Sequence, residues 1–263
     1  MKKKNKKIKL ITIFLSILLI IGLLILIIYN LTTNKTQKVE KMNLSFENRV
    51  TDLANYSYKD YLTVGWLQVQ GTNIDYPILD STASNDDPTA QNYGWRSPYY
   101  ETGKNREVLL GHNILNVSST PLRDMAILNN FEGLMAFTYD DFASDNLYIS
   151  YTKGNDTELY KIYAIGFYDY NTDSSEGFSN SDEVKKYISK VRKNSIYDYD
   201  VDVNEKDTII TLKTCTRYFG SKEKQELYID ARKVRTNEDI TKYQVKTNDN
   251  YKMLTKGISQ ENG

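Results

Sequence analysis

Twenty consecutive residues, Leu10–Tyr29, carry neither a charge nor a proline. At about 1.5 Å of rise per residue, a helix of that length spans roughly 30 Å, the thickness of a bilayer's hydrocarbon core. Lys2, Lys3, Lys4, Lys6, Lys7 and Lys9 precede it with no acid among them, which places the N-terminus in the cytoplasm by the positive-inside rule. A cleaved signal peptide is the competing reading. Its apolar region usually runs only about 7–15 residues before a small-residue cleavage site, and no such site follows Tyr29. The expectation is an uncleaved single-pass anchor at 10–29 behind a cytoplasmic basic segment at 1–9. The rest of the chain then lies on the outer face of the cell membrane.

Beyond the anchor the composition narrows the choices. Formal charge balances at 34 basic and 34 acidic residues. The lysines at 1–9 take six of the basic ones, so the remainder is mildly acidic. With no later basic run, nucleic-acid binding is not expected. Twenty-two tyrosines against eight phenylalanines, with frequent Thr and Asn, suit a β-rich domain with wet faces. The single cysteine rules out an internal disulfide framework. Outside the cell, such a thiol is either buried and inert or kept for chemistry.

Residues 30–43 are polar and read as a tether. Leu44, Phe46, Val50 and Leu53 predict an amphipathic helix over about 44–60. From Val64 the pattern turns to short strands. Leu67 and Val69 alternate with glutamines, and Gly71-Thr72-Asn73 turns the chain into Ile74–Leu79. Residues 80–106 read as a long surface loop. Its Asp80, Asp86 and Asp87 match no calcium-loop spacing, and no metal or cofactor is expected. Glu107–Leu110 predicts a short strand, and Thr120-Pro121 a helix start for 121–129. Strands follow at 146–152 and 158–168 about a Lys153–Asp156 turn. Val184, Tyr187, Ile188 and Val191 mark a helix capped at Ser179 or Asn180. Strands at 207–214 and around Leu227–Ala231 close the domain at 235, and 236–263 reads as a polar, mobile tail. The fold class is mainly β with flanking helices.

Cys215, the only cysteine, ends its strand, and His112 is the only histidine. A thiolate is the active nucleophile, and nearby cations favour it. Arg217 is close enough in sequence to hold charge on an oxyanion. His112 could act as general acid and base. The plainer alternative is a buried structural Cys, a surface His and an unrelated Arg. Trp66 and Trp95 read as core or loop packing.

The local sequence bears on that choice. Thr211-Leu212-Lys213-Thr214-Cys215 resembles the T-L-x-T-C signature of sortases, membrane-anchored transpeptidases of Gram-positive bacteria. Gly111-His112-Asn113 is similar to the element carrying their histidine, and Gly71–Ile78 looks like their early G-T-x-I-x-Y-P-V strand. The resemblance covers about 44–235, and the helices at 44–60 and 181–193 look most like class B. It implies an eight-stranded β-barrel with a groove where His112, Cys215 and an arginine converge. It further implies a secreted protein substrate with an LPxTG- or NPxTN-type C-terminal sorting signal. Cys215 would form a thioacyl-enzyme, which a peptidoglycan-precursor amine would open. Thr214 and Asn113 would contact substrate.

The family arginine usually opens the final strand, where this chain has Glu226. Arg232 shares the parity of Glu226 but lies some 20 Å further along, so Arg217 is the candidate. The alternatives are a pilin-polymerising or class D-type sortase, or a sortase-fold protein that binds sorting signals without turnover.

Overall fold

Short β-forming stretches separated by turn residues close into a barrel in the computed structural model, which describes residues 19–23, 41–80, 93–102, 104–113, 130–169, 178–216 and 225–251. The chain divides into two units, 1–41 and 42–263. In the first, residues 19–23 are helical and exposed. Among the described residues no helix is long and apolar enough to cross a membrane. Most of the anchor segment 10–29, most of the tether 30–43, and the helix expected at 121–129 lie outside the described residues, as do Asp86 and Asp87.

In the second unit a short helix α1 (Val50–Asn55) precedes β1 (Thr63–Val69), β2 (Asp75–Leu79), β3 (Gly94–Arg96) and β4 (Arg106–Leu110). A 3-10 helix (Phe131–Thr138) and α2 (Asp140–Asp145) lead to β5 (Tyr148–Lys153) and β6 (Asp156–Asp169). Then come α3 (Ser181–Lys193), β7 (Tyr197–Tyr199), β8 (Ile209–Thr216), β9 (Gln225–Lys233) and β10 (Val245–Thr247). Eight of these strands form a closed barrel in the order β1-β2-β3-β4-β8-β9-β6-β5, while β10 and β7 pair separately. Closure leaves these strands no free edge. The β2–β3 and β4–β8 pairs are parallel; the others are antiparallel.

Local chemistry explains the elements that position the site. Gly71 (φ 74°) turns β1 into β2, and Gly154 (φ 56°) opens the two-residue β5–β6 hairpin, conformations a side chain would disfavour. Helix α3 starts on Asn180, whose side chain accepts from the amides of Asp182 and Glu183, and Glu183 reaches back to the Ser179 amide. That is the reciprocal cap expected at this terminus. Its Val184, Tyr187, Ile188 and Val191 are buried, each contributing about 1.5–3 kcal/mol by leaving water.

Three expectations change. Only Val50–Asn55 of the 44–60 stretch is helical. Leu44 and Phe46 lie outside any helix or strand and pack, partly buried, against the core instead. The 80–106 loop contains β3, whose Ile78–Gly94 and Leu79–Trp95 pairing adds it to the barrel. The mobile-tail reading does not hold for 236–251. There β10 pairs with β7 and Asn248 donates to the Ser195 carbonyl. Tyr243 places its hydroxyl between the Leu147 and Ile162 carbonyls.

Candidate active site

Strands β4 and β8 run parallel, with Leu110 opposite Lys213. Past the end of β4 the chain stays laced to β8. The Gly111 amide donates to the Lys213 carbonyl (3.2 Å). The Thr214 hydroxyl donates to the Gly111 carbonyl (2.9 Å), and the Asn113 side-chain amide donates to the Cys215 carbonyl (3.0 Å). His112 lies between two residues tied to the strand that carries Cys215. The only histidine and the only cysteine are thus brought to one end of one strand pair.

The packing behind His112 is specific. A Cβ at Gly111 would come within 2.3 Å of the Phe131 ring, so only glycine allows the 3-10 helix to press against this segment. The imidazole sits tilted on Trp95 of β3, ring centroids 4.8 Å apart. Burial there lowers the His112 pKa from its ordinary value by disfavouring the charged form. Gly111→Ala is expected to cost about 1–3 kcal/mol through overpacking and to displace His112. Thermal unfolding and peptide turnover measured together would check both effects.

Cys215 is the one exposed residue of β8, flanked by buried Thr214 and Thr216. Although the residue reaches solvent, the surrounding wall dries its sulfur enough to raise the thiol pKa. The carboxylate of Glu226 raises it further, and Lys213 opposes both. Glu226 lies on β9 directly opposite Cys215. Its carboxylate is 2.9 Å from the Lys213 ammonium.

Of the residues expected from sequence, the His112–Asn113 segment and the Thr214–Cys215 end of β8 are laced side by side by these bonds. The polar groups of Thr214 and Asn113 bond to the backbone of the site itself. Arg217 lies outside the described residues. Arg232 is engaged elsewhere, with Glu238 and the Asp202 carbonyl. Trp95 under His112 and the Lys213–Glu226 pair were not anticipated. The register of β8 against β9, which no local pattern reveals, is what brings Glu226 to the cysteine.

No family model matches the sequence. It is 30% identical over 169 residues to sortase B of Listeria monocytogenes, covering 58% of this chain and 62% of that protein. Against sortase B of Staphylococcus aureus it is 23% identical over 173 residues, covering 62% and 66%. Clostridium perfringens sortase B superposes with a TM-score of 0.56 at 20% identity, over 70% of this chain and 99% of that one. The Staphylococcus aureus sortase B–substrate complex does so at 0.53 and 18%, over 66% and 81%. The chain resembles the sortase family and shares its fold. Its likeness is to class B, and it spans just under two thirds of the length of those two curated relatives. The eight-stranded barrel and the three motif segments of this chain thus agree with one another. Gly71–Ile78 forms the β1–β2 turn and strand, Gly111–Asn113 follows β4, and Thr211–Cys215 lies in β8.

Proposed function

We propose that this chain is a sortase, a membrane-anchored cysteine transpeptidase that cleaves a C-terminal sorting signal of the LPxTG or NPxTN type. In this reading it joins the new carboxyl end to an amine of a peptidoglycan precursor. The observation that carries it is the Asn113–Cys215 bond, which ties the histidine segment to the strand of the exposed thiol. A sortase B has been solved with its substrate and another with triglycine, a peptide ligand and an amine of the kinds proposed here. The anchor rests on the uncharged stretch Leu10–Tyr29 and the lysines before it.

The steps follow from the residues. The Cys215 proton passes to His112 as the sulfur attacks the threonyl carbonyl. Arg217 is assigned to the oxyanion that forms. The tetrahedral intermediate collapses by breaking the C–N bond, and His112 gives its proton to the departing amine. The thioacyl-enzyme is then attacked by the acceptor amine, whose proton returns to His112 as the Cys215 thiolate leaves. Thr214 and Asn113 hold His112 beside β8 through their bonds to Gly111 and Cys215, whatever further contact they make with peptide.

A second reading, a sorting-signal binder without turnover, is favoured by one observation: the group facing Cys215 across the sheet is a glutamate. A panel of sorting-signal peptides, offered with triglycine or a lysine side-chain amine as acceptor, separates the readings. The expected result for the full chain in detergent is a transpeptidation product and a thioester at Cys215 detected by mass. Peptide binding with neither product would leave only the binder. A product with the lysine acceptor alone would favour the pilin-polymerising kind.

A further inference from the structure

Beside the cysteine lies a buried ion pair that the steps above do not use. Lys213 and Glu226 are 6% and 3% exposed. Removing two charges from water costs about as much as their attraction returns, so such a pair is a poor device for stability. Its position is more telling. Lys213 precedes Cys215 by two residues and so shares its face of β8, while Glu226 faces Cys215 across the β8–β9 register. Tyr228 fixes the pair from below. Its hydroxyl donates to Glu226 (3.2 Å), and its ring lies 5.3 Å from the Lys213 ammonium. The Tyr168 ring of β6 packs tilted against Tyr228, centroids 4.6 Å apart, and Lys190 of α3 lies 5.6 Å over Tyr168.

We propose that Lys213 and Glu226 act as a positioning pair that sets the charge around Cys215. Glu226 keeps the resting sulfur protonated, and the Lys213 ammonium, pinned by Glu226, favours the thiolate once the proton has moved to His112. The last step rests on the transpeptidase reading; the charge balance does not. Among the described residues, the groups around Cys215 are Lys213 on its own strand, Glu226 and Tyr228 on β9, and the His112–Asn113 segment after β4. Tyr168 and Lys190 lie one layer further away. Glu226 and Lys213 act on the thiol with opposite signs, as their charges require. Shared charge between neighbours of a nucleophile is a common way to tune it.

Iodoacetamide alkylation of the full chain in detergent, followed by mass across pH, reads the sulfur directly because Cys215 is the only cysteine. Glu226→Gln is expected to lower the midpoint by about one pH unit and speed alkylation about tenfold below it. Lys213→Gln, which can still hydrogen-bond to Glu226, is expected to raise the midpoint by a similar amount. Lys213→Arg should restore the wild-type profile. Thermal unfolding of each variant shows which are folded. Should Glu226→Gln not fold, Lys213→Gln decides alone, since its shift has the opposite sign. Unchanged midpoints in folded variants, or shifts of the reverse sign, would overturn the proposal. Shifted midpoints in a protein that cleaves no peptide would sink the transpeptidase reading and leave this one standing.

Discussion

Cys215→Ala is expected to abolish peptide cleavage, and His112→Ala to lower kcat by about 10²–10⁴, the usual contribution of a general acid–base. The two effects have different origins. Without the sulfur no acyl-enzyme forms. Without the imidazole the sulfur remains, but its proton and the proton for the leaving amine must be exchanged with water. The environments of the two groups add a pH signature. Burial against Trp95 lowers the His112 pKa, while drying of the sulfur and Glu226 raise the Cys215 pKa. Both directions favour neutral thiol and neutral imidazole at rest over thiolate and imidazolium. As pH falls through the lowered His112 value the base is lost. As pH rises through the raised Cys215 value the pair loses the proton that His112 delivers. The kcat/KM profile should accordingly show an acid limb below the ordinary imidazole value and a basic limb above the ordinary thiol value. A plateau narrower than an unperturbed pair would give counts against this account. Full activity in Cys215→Ala would remove the nucleophile assignment altogether.

How far such a site can be read from sequence depends on whether its signals are local. Val184, Tyr187, Ile188 and Val191 repeat at helical spacing behind Asn180, and the helix is found at Ser181–Lys193 with that cap. The Lys153–Asp156 turn is equally local, and Gly154 has the positive φ that it needs. The apolar run ending at Cys215 is a strand in the structure, extending to Thr216. By contrast, β3 is three residues in a polar stretch, and only its pairing with β2 and β4 makes it a strand. Its Trp95 therefore passes for loop packing until the fold places it under His112. The β7–β10 ribbon escapes notice for the same reason, joining segments over forty residues apart with Lys246 exposed between Val245 and Thr247. Glu226 is the most consequential case. Its parity on β9 is legible, but its place opposite Cys215 depends on the register of two strands.

Asp230→Ala is expected to be the most destabilising single change in the wall that carries the site. Asp230 is 1% exposed and accepts hydrogen bonds from the Tyr187 and Thr211 hydroxyls, both at 2.6 Å. The same two hydroxyls accept from the equally buried Arg106 guanidinium, at 2.7 and 3.1 Å. One carboxylate thus joins α3, β4, β8 and β9 and balances a buried positive charge through two intermediates. Removing it takes the balancing charge from the guanidinium and the acceptor from two hydroxyls, a cost of about 3–5 kcal/mol. For a domain of this size that corresponds to a fall in Tm of roughly 6–20 °C. The removed charge and the lost bonds both contribute, and a double-mutant cycle separates the two. Removing Arg106 together with Asp230, as Arg106→Met/Asp230→Leu, eliminates both charges and should be less destabilising than Asp230→Ala alone. Tyr187→Phe removes only the bridging hydroxyl and should cost about 1–3 kcal/mol. If the double variant proves as unstable as the sum of its parts, the guanidinium is satisfied without Asp230 and the network does not act as a unit. The distinction matters for the site, because Arg106 lies on the strand that leads to His112 and Thr211 on the strand that carries Cys215. A loosened β4–β8 pair would weaken the Asn113–Cys215 contact before the barrel itself unfolds, so in Asp230→Ala the loss of turnover on heating should precede the loss of β structure seen by circular dichroism.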